Sequence, residues 1–130
     1  MSDTLSIELP IRPESAGRAR EAVGEFRDHL DESSFLDLRL MVSELVSDAV
    51  LTEAGSEQKI AIRIETRDRR IHVEVQEGAI AYRLRSRRPE PGEAGWGMYL
   101  TGLLADRWGI RHDDDRGCVW LQTRLAQSQV

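Results

Sequence analysis

The sequence predicts an α/β two-layer sandwich, a mostly antiparallel mixed sheet with about three helices packed on one face. Three observations predict it. Ile60, Ile62, Ile64 and then Ile71, Val73, Val75 alternate in strand fashion on either side of the polar run Thr66–Arg69. Leu38, Val42, Leu45, Val46 and Ala49 recur at helical spacing. The element order β-α-α-β-β-loop-α-β-β puts the helices on one side of the sheet.

Taken in order, residues 6–11 alternate as a strand that Pro13 stops. Ser15 is a candidate N-cap for a helix to about Leu30, with Ala19, Ala22, Val23 and Phe26 on its apolar face. Asp31-Glu32-Ser33-Ser34 then opens a longer helix from about Phe35 to Glu53, stopped by Ala54-Gly55. The two alternating strands form a hairpin. Residues 78–95 lack periodicity and carry Pro89, Pro91 and Gly92, which predicts a long loop or lid over about 79–94. Helical spacing returns from Trp96 to Ala105, and residues 108–111 and 118–125 close the chain as a hairpin. No linker or internal repeat interrupts this order, so residues 1–130 are expected to form one domain with a core over about 6–125.

Composition narrows the function. The chain is 40% hydrophobic and 32% charged, as ordinary globular proteins are, with a net charge of −5. That acidic balance argues against direct nucleic-acid binding. All but one of the 18 basic residues are arginine, Lys59 being the exception. Cys118 is the only cysteine, which rules out an internal disulfide and points to a reducing, cytoplasmic setting. It sits in the apolar run Cys118–Leu121, where burial is the expected role. No apolar run approaches about 18 residues and no signal-like segment opens the chain, so neither membrane insertion nor secretion is expected. His29, His72 and His112 lie on unrelated elements without metal-ligand spacing and are expected at or near the surface.

Candidate chemistry gathers on the second helix. Glu44 and Asp48 are four residues apart and therefore neighbours on one face. At about 100° per residue, Asp37, Glu44 and Asp48 fall within about 40° of each other and roughly 120° from the centre of the apolar face. Such acids flank the core, as cleft-lining carboxylates or as solvated surface. A carboxylate pair in a cleft can hold Mg²⁺ and accept a proton in phosphoryl transfer. Gly95 and Gly97 precede a helix, where backbone N–H groups can approach phosphate oxygens; a purely structural turn has the same look. Arg83, Arg85, Arg87 and Arg88 make the lid basic, either as a solvated loop or to meet phosphates or an acidic partner.

Three motifs in this order resemble the ATPase domain shared by histidine kinases, gyrase and the Hsp90 chaperones (the Bergerat, or histidine kinase-like, fold). The likeness is strongest to its small bacterial branch of anti-sigma factors with serine-kinase activity. Glu44-Leu45-Val46-Ser47-Asp48-Ala49-Val50 is similar to that branch's long-helix motif, with Asp48 in place of Asn. Glu77-Gly78 stands where the family has an Asp and a Gly-containing turn. Gly95-Trp96-Gly97-Met98 stands for its second glycine motif, with Trp96 in place of Arg. The likeness runs from about Ile7 to Leu125.

The resemblance implies ATP and Mg²⁺ as cofactors, held between the long helix and the lid. It implies that Glu44 is the catalytic base taking a proton from a serine hydroxyl, and that Asp48 is the metal ligand. Glu77 and Gly78 become the adenine side of the site, and Gly95, Trp96, Gly97 and Met98 its phosphate side. Glu77 is one methylene longer than the family's Asp, and it reads equally as a solvent-facing strand-end residue. Gln76 should point to the opposite face of the strand. The implied role is an anti-sigma-type regulator in a partner-switching transcription pathway, an ATP-dependent serine/threonine protein kinase where catalysis is retained. Its implied partners are a sigma factor, a protein antagonist and, as in other family members, a second copy of the chain. The three departures at Asp48, Glu77 and Trp96 motivate an alternative, a nucleotide-independent relative that only binds proteins.

Overall fold

The computed structural model describes residues 3–78, 88–113 and 116–126. The alternating segments form five strands: β1 (Thr4–Pro10), β2 (Lys59–Arg67), β3 (Arg70–Glu77), β4 (Arg107–Asp113) and β5 (Arg116–Arg124). Their spatial order is β1-β2-β3-β5-β4, and every neighbouring pair is antiparallel. Register places Ile7, Ile62, Val75, Val119 and Ile110 in one row across the sheet. Leu5, Ile64, Val73, Leu121 and Trp108 form the next row on the same face. A one-residue slip would turn both rows to the polar side, so burial fixes the pairing.

Three helices among the described residues cover this apolar face: α1 (Ser15–Gly24), α2 (Glu32–Thr52) and α3 (Trp96–Leu104). The core joins Ala19 and Val23 of α1, Leu38, Val42 and Leu45 of α2 and Met98 of α3 to the sheet residues Ile62, Val73 and Leu121. The other face of the sheet is polar. There Arg63 and Arg67 hold Glu65 along β2, and Gln122 of β5 bonds His72 of β3 across the sheet at 3.0 Å.

Four local expectations change. The first helix ends at Gly24, and a single 3-10 turn at Arg27–His29 follows instead of a continuous helix to Leu30. Ser15 is the first helical residue and not the cap, because its buried hydroxyl donates to the Pro10 carbonyl at 2.6 Å and ties the end of β1 to α1. Both strands of the central hairpin run further than the apolar alternation shows, leaving a two-residue turn at Asp68-Arg69 with φ of 50° and 65°. His72 is buried, held between Glu74 at 2.9 Å and Gln122, with Trp120 stacked beside it. Cys118 is buried as expected.

Candidate functional site

The site is built on α2. Asp31 starts this helix properly, its Oδ1 accepting from the Ser34 N–H at 2.8 Å, which satisfies one orphan donor of the first turn. Leu38, Met41, Val42, Leu45, Val46 and Ala49 are buried along one side. Glu44 is half-buried at the edge of that side, as expected of a cleft-flanking acid. Asp48 departs from the expectation: it is 2% exposed. Angular position on an isolated helix placed it beside the core, but the start of α3 closes over it. The Gly97 N–H donates to Asp48 Oδ2 at 2.8 Å, in a buried bond between residues 49 positions apart. The long-helix acid and the second glycine motif therefore meet in space.

Each glycine here has a distinct reason. Gly95 caps α3 with φ of 109°, a left-handed conformation that side chains adopt at a cost. Gly97 lies against α2 so closely that an added Cβ would stand 2.6 Å from both the Leu45 N and Cα. Thr101 Oγ1 donates to the Gly97 carbonyl at 2.7 Å and holds the first turn of α3 from the other side. Met98 is buried in the core. Trp96 is half-buried; its Nε1 donates to the Glu90 carbonyl at 3.3 Å, its ring meets Tyr99 edge-on, and the Arg88 guanidinium lies 5.3 Å above it. Trp96 thus anchors the end of the predicted lid to α3. Arg83, Arg85 and Arg87 fall outside the described residues.

At the far end of α2 the chain meets the end of β3. Glu77 is 0% exposed, which overturns its reading as a solvent-facing residue. Gln76 points to the opposite face, as strand alternation requires. The Gly78 N–H donates to Glu53 Oε1 at 3.1 Å, and a Cβ on Gly78 would stand 2.4 Å from that oxygen. Glu53 is the residue that sequence reasoning missed. Gly55 revealed where α2 stops, but nothing in the pattern shows that its last side chain crosses to β3. The C-terminal half of α2 and its C-cap residue Glu53 are therefore a common spine, touching α3 through Asp48 and Gly78, just past β3, through Glu53.

Electrostatics at Glu44 favours a retained proton. Partial burial raises the proton affinity of Glu44 above that of an ordinary carboxylate, the Asp48 charge raises it further, and Arg20 opposes both. Beside Glu44, a groove of about 400 Å³ between α1 and α2 is lined by Arg20, Leu36, Arg39, Leu40 and Ser43. A separate depression of about 460 Å³ lies on the polar face of the sheet, lined in part by Arg63, Glu74, Arg111 and Cys118. None of the motif residues borders it. Among the described residues no group of three or more His, Cys, Asp or Glu converges as a metal centre. No helix among them is long and apolar enough to cross a membrane.

A histidine kinase-like ATPase fold is what this arrangement defines: an antiparallel sheet under helices, with the long-helix acid Asp48 bonded to a glycine turn. The sequence model of the histidine kinase-like ATPase domain matches residues 9–123, and the chain belongs to that family. Among solved structures, the chain is similar to the RsbU and RsbW domains of Rv1364c from Mycobacterium tuberculosis, with a TM-score of 0.73 and 20% identity. That match covers 97% of this chain and 33% of the other, so the chain spans about a third of the length of that protein. No curated protein matches the sequence.

Proposed function

We propose that this chain is an anti-sigma-type regulator of a partner-switching transcription pathway in the cytoplasm. The region where α2 meets the start of α3 would hold ATP and Mg²⁺, and the chain would phosphorylate a protein antagonist on serine or threonine. The observation that carries the reading is the Asp48–Gly97 hydrogen bond, which joins two separately recognised motifs at one place.

The donor set fits the cofactor in kind. Mg²⁺ is commonly held by one or two carboxylates together with substrate phosphates, and Asp48 and Glu44 supply hard oxygens on one helix face. Gly97 and Met98 at the start of α3 would face the phosphates, and the buried carboxylate of Glu77 beside Gly78 would face the adenine. When bound, ATP·Mg²⁺ supplies the phosphoryl group. The residues of the chain contribute positioning and a proton acceptor. Glu44 is the acceptor, since it is partly exposed and its raised proton affinity makes it a stronger base than an ordinary carboxylate. The groove beside it, with Leu36 and Leu40 exposed on its rim, gives a substrate protein a surface next to that base.

A second reading, nucleotide-independent protein binding, is favoured by one specific fact: the Asp48 carboxylate already sits on the Gly97 N–H that a phosphate would use. Isothermal titration with ATP and Mg²⁺ separates the two. Saturable heat together with phosphate transfer that Glu44→Gln abolishes supports the kinase. No heat, with a partner captured equally with and without ATP, leaves the binding module.

A further inference from the structure

We infer that Asp48 is a built-in anion that competes with phosphate groups for the start of α3. A phosphorylated ligand is taken there only when the Asp48 carboxylate is displaced. This rests on the reading of the α2–α3 junction as a nucleotide site and specifies what decides its occupancy.

The exclusion follows from geometry. Gly97 has one N–H, and Asp48 Oδ2 holds it at 2.8 Å in a buried bond. An oxygen anion at the N-terminal end of a helix meets the positive end of the helix dipole, so Asp48 satisfies the same preference that a phosphate would. The two oxygens need the same space and the same hydrogen. The helix cannot resolve the conflict by moving toward α2, because Gly97 already touches the Leu45 backbone so closely that no Cβ would fit. Thr101 fixes the Gly97 carbonyl from within α3. In this inference the Asp48 side chain is the part that gives way.

An amide at this position changes the competition without changing the shape. Asparagine can accept the same hydrogen bond, but a neutral acceptor holds an N–H about half as strongly as a carboxylate and does not repel a phosphate. Asp48→Asn is therefore expected to raise affinity for a metal-free phosphate anion by roughly fourfold to tenfold, the equilibrium equivalent of about half a charge-assisted hydrogen bond.

The test uses the whole chain and inorganic pyrophosphate without metal, following the Gly97 amide by ¹⁵N–¹H NMR. In the wild type the Gly97 signal is expected to stay fixed through millimolar pyrophosphate. In Asp48→Asn it is expected to move saturably. Asp48→Ser, a smaller neutral side chain, repeats the test should the asparagine variant fold poorly, and the fingerprint spectrum reports folding in each case. A wild-type Gly97 signal that moves with pyrophosphate as readily as in the variants overturns the inference. So does a Gly97 signal that stays fixed in folded variants. A parallel titration of Asp48→Asn with ATP and Mg²⁺ keeps the two ideas apart: pyrophosphate binding without ATP binding sinks the nucleotide reading and leaves the competition standing.

Discussion

Replacing Gly97 with alanine tests whether α3 and α2 are interlocked as the structure shows. The new Cβ would lie 2.6 Å from Leu45 N and Cα and 2.8 Å from Leu45 Cδ2, whereas ordinary contact begins at 3.4 Å. The helices must part by about 1 Å, and a close-packed interior resists that. Over-packing of this kind costs about 1–3 kcal/mol. Parting the helices also breaks the Asp48–Gly97 bond, and a hydrogen bond to a charged group is worth about 1.5–3 kcal/mol. Alanine in place of glycine within a helix returns up to about 1 kcal/mol. The net loss is about 2–4 kcal/mol, a fall in Tm on the order of 10 °C for a chain of this size. Gly102→Ala is the control on the same helix, because its Cβ would meet nothing nearer than Trp108 Cζ2 at 3.9 Å. It should stabilise by about 0.4–1 kcal/mol. Urea and thermal unfolding of both variants decide the matter. If Gly97→Ala proves as stable as Gly102→Ala, the tight approach of the two helices is wrong, and the burial of Asp48 goes with it.

Three further outcomes are expected. Asp31→Ala removes the α2 cap that Ser34 N–H uses and should cost about 1 kcal/mol in urea unfolding, while Asp31→Asn should cost far less; equal losses would mean that the cap bond contributes nothing. Arg69→Gly relieves a left-handed, exposed position in the two-residue hairpin turn and should raise stability by up to about 1 kcal/mol, with a lower Tm as the contrary result. Glu44 binds its proton more tightly in the folded chain than in the unfolded one, chiefly through burial and then through Asp48, so its contribution to stability falls as pH rises from the ordinary carboxylate value through the raised one. Glu44→Gln should remove that downward slope on the mildly acidic side of a stability–pH curve, and an unchanged slope would show that Glu44 is not the group responsible.

Much of the architecture is written in short-range pattern. Ile60, Ile62 and Ile64 against Ile71, Val73 and Val75 announced the central hairpin because period-two burial on one face leaves a direct trace in sequence. Asp31 and Gly55 bounded α2 because caps are local chemistry. What the pattern hides is which surface a neighbouring element covers. Asp48 and Glu77 read as edge residues since each lies beside an apolar row; both are buried by contacts from segments distant in the chain. His72 and Ser15 belong with them, their burial depending on partners (Gln122 and the Pro10 carbonyl) that no periodicity names. The meeting of Asp48 with the glycine turn was legible only through resemblance, since a contact across 49 residues has no local signature.

The position of β1 bears on how the chain folds. Its partner in the sheet is β2, with Leu9 opposite Ile60, although all of α1 and α2 lies between them in sequence. The β2–β3 hairpin can close at once through its two-residue turn, but docking β1 means closing a long loop whose entropy is lost before any ladder bond is gained. Edge docking of β1 is then a late event, following the helical pair and the hairpin. Substitutions along β1 should accelerate unfolding and leave the refolding rate nearly untouched, while substitutions in the hairpin slow refolding.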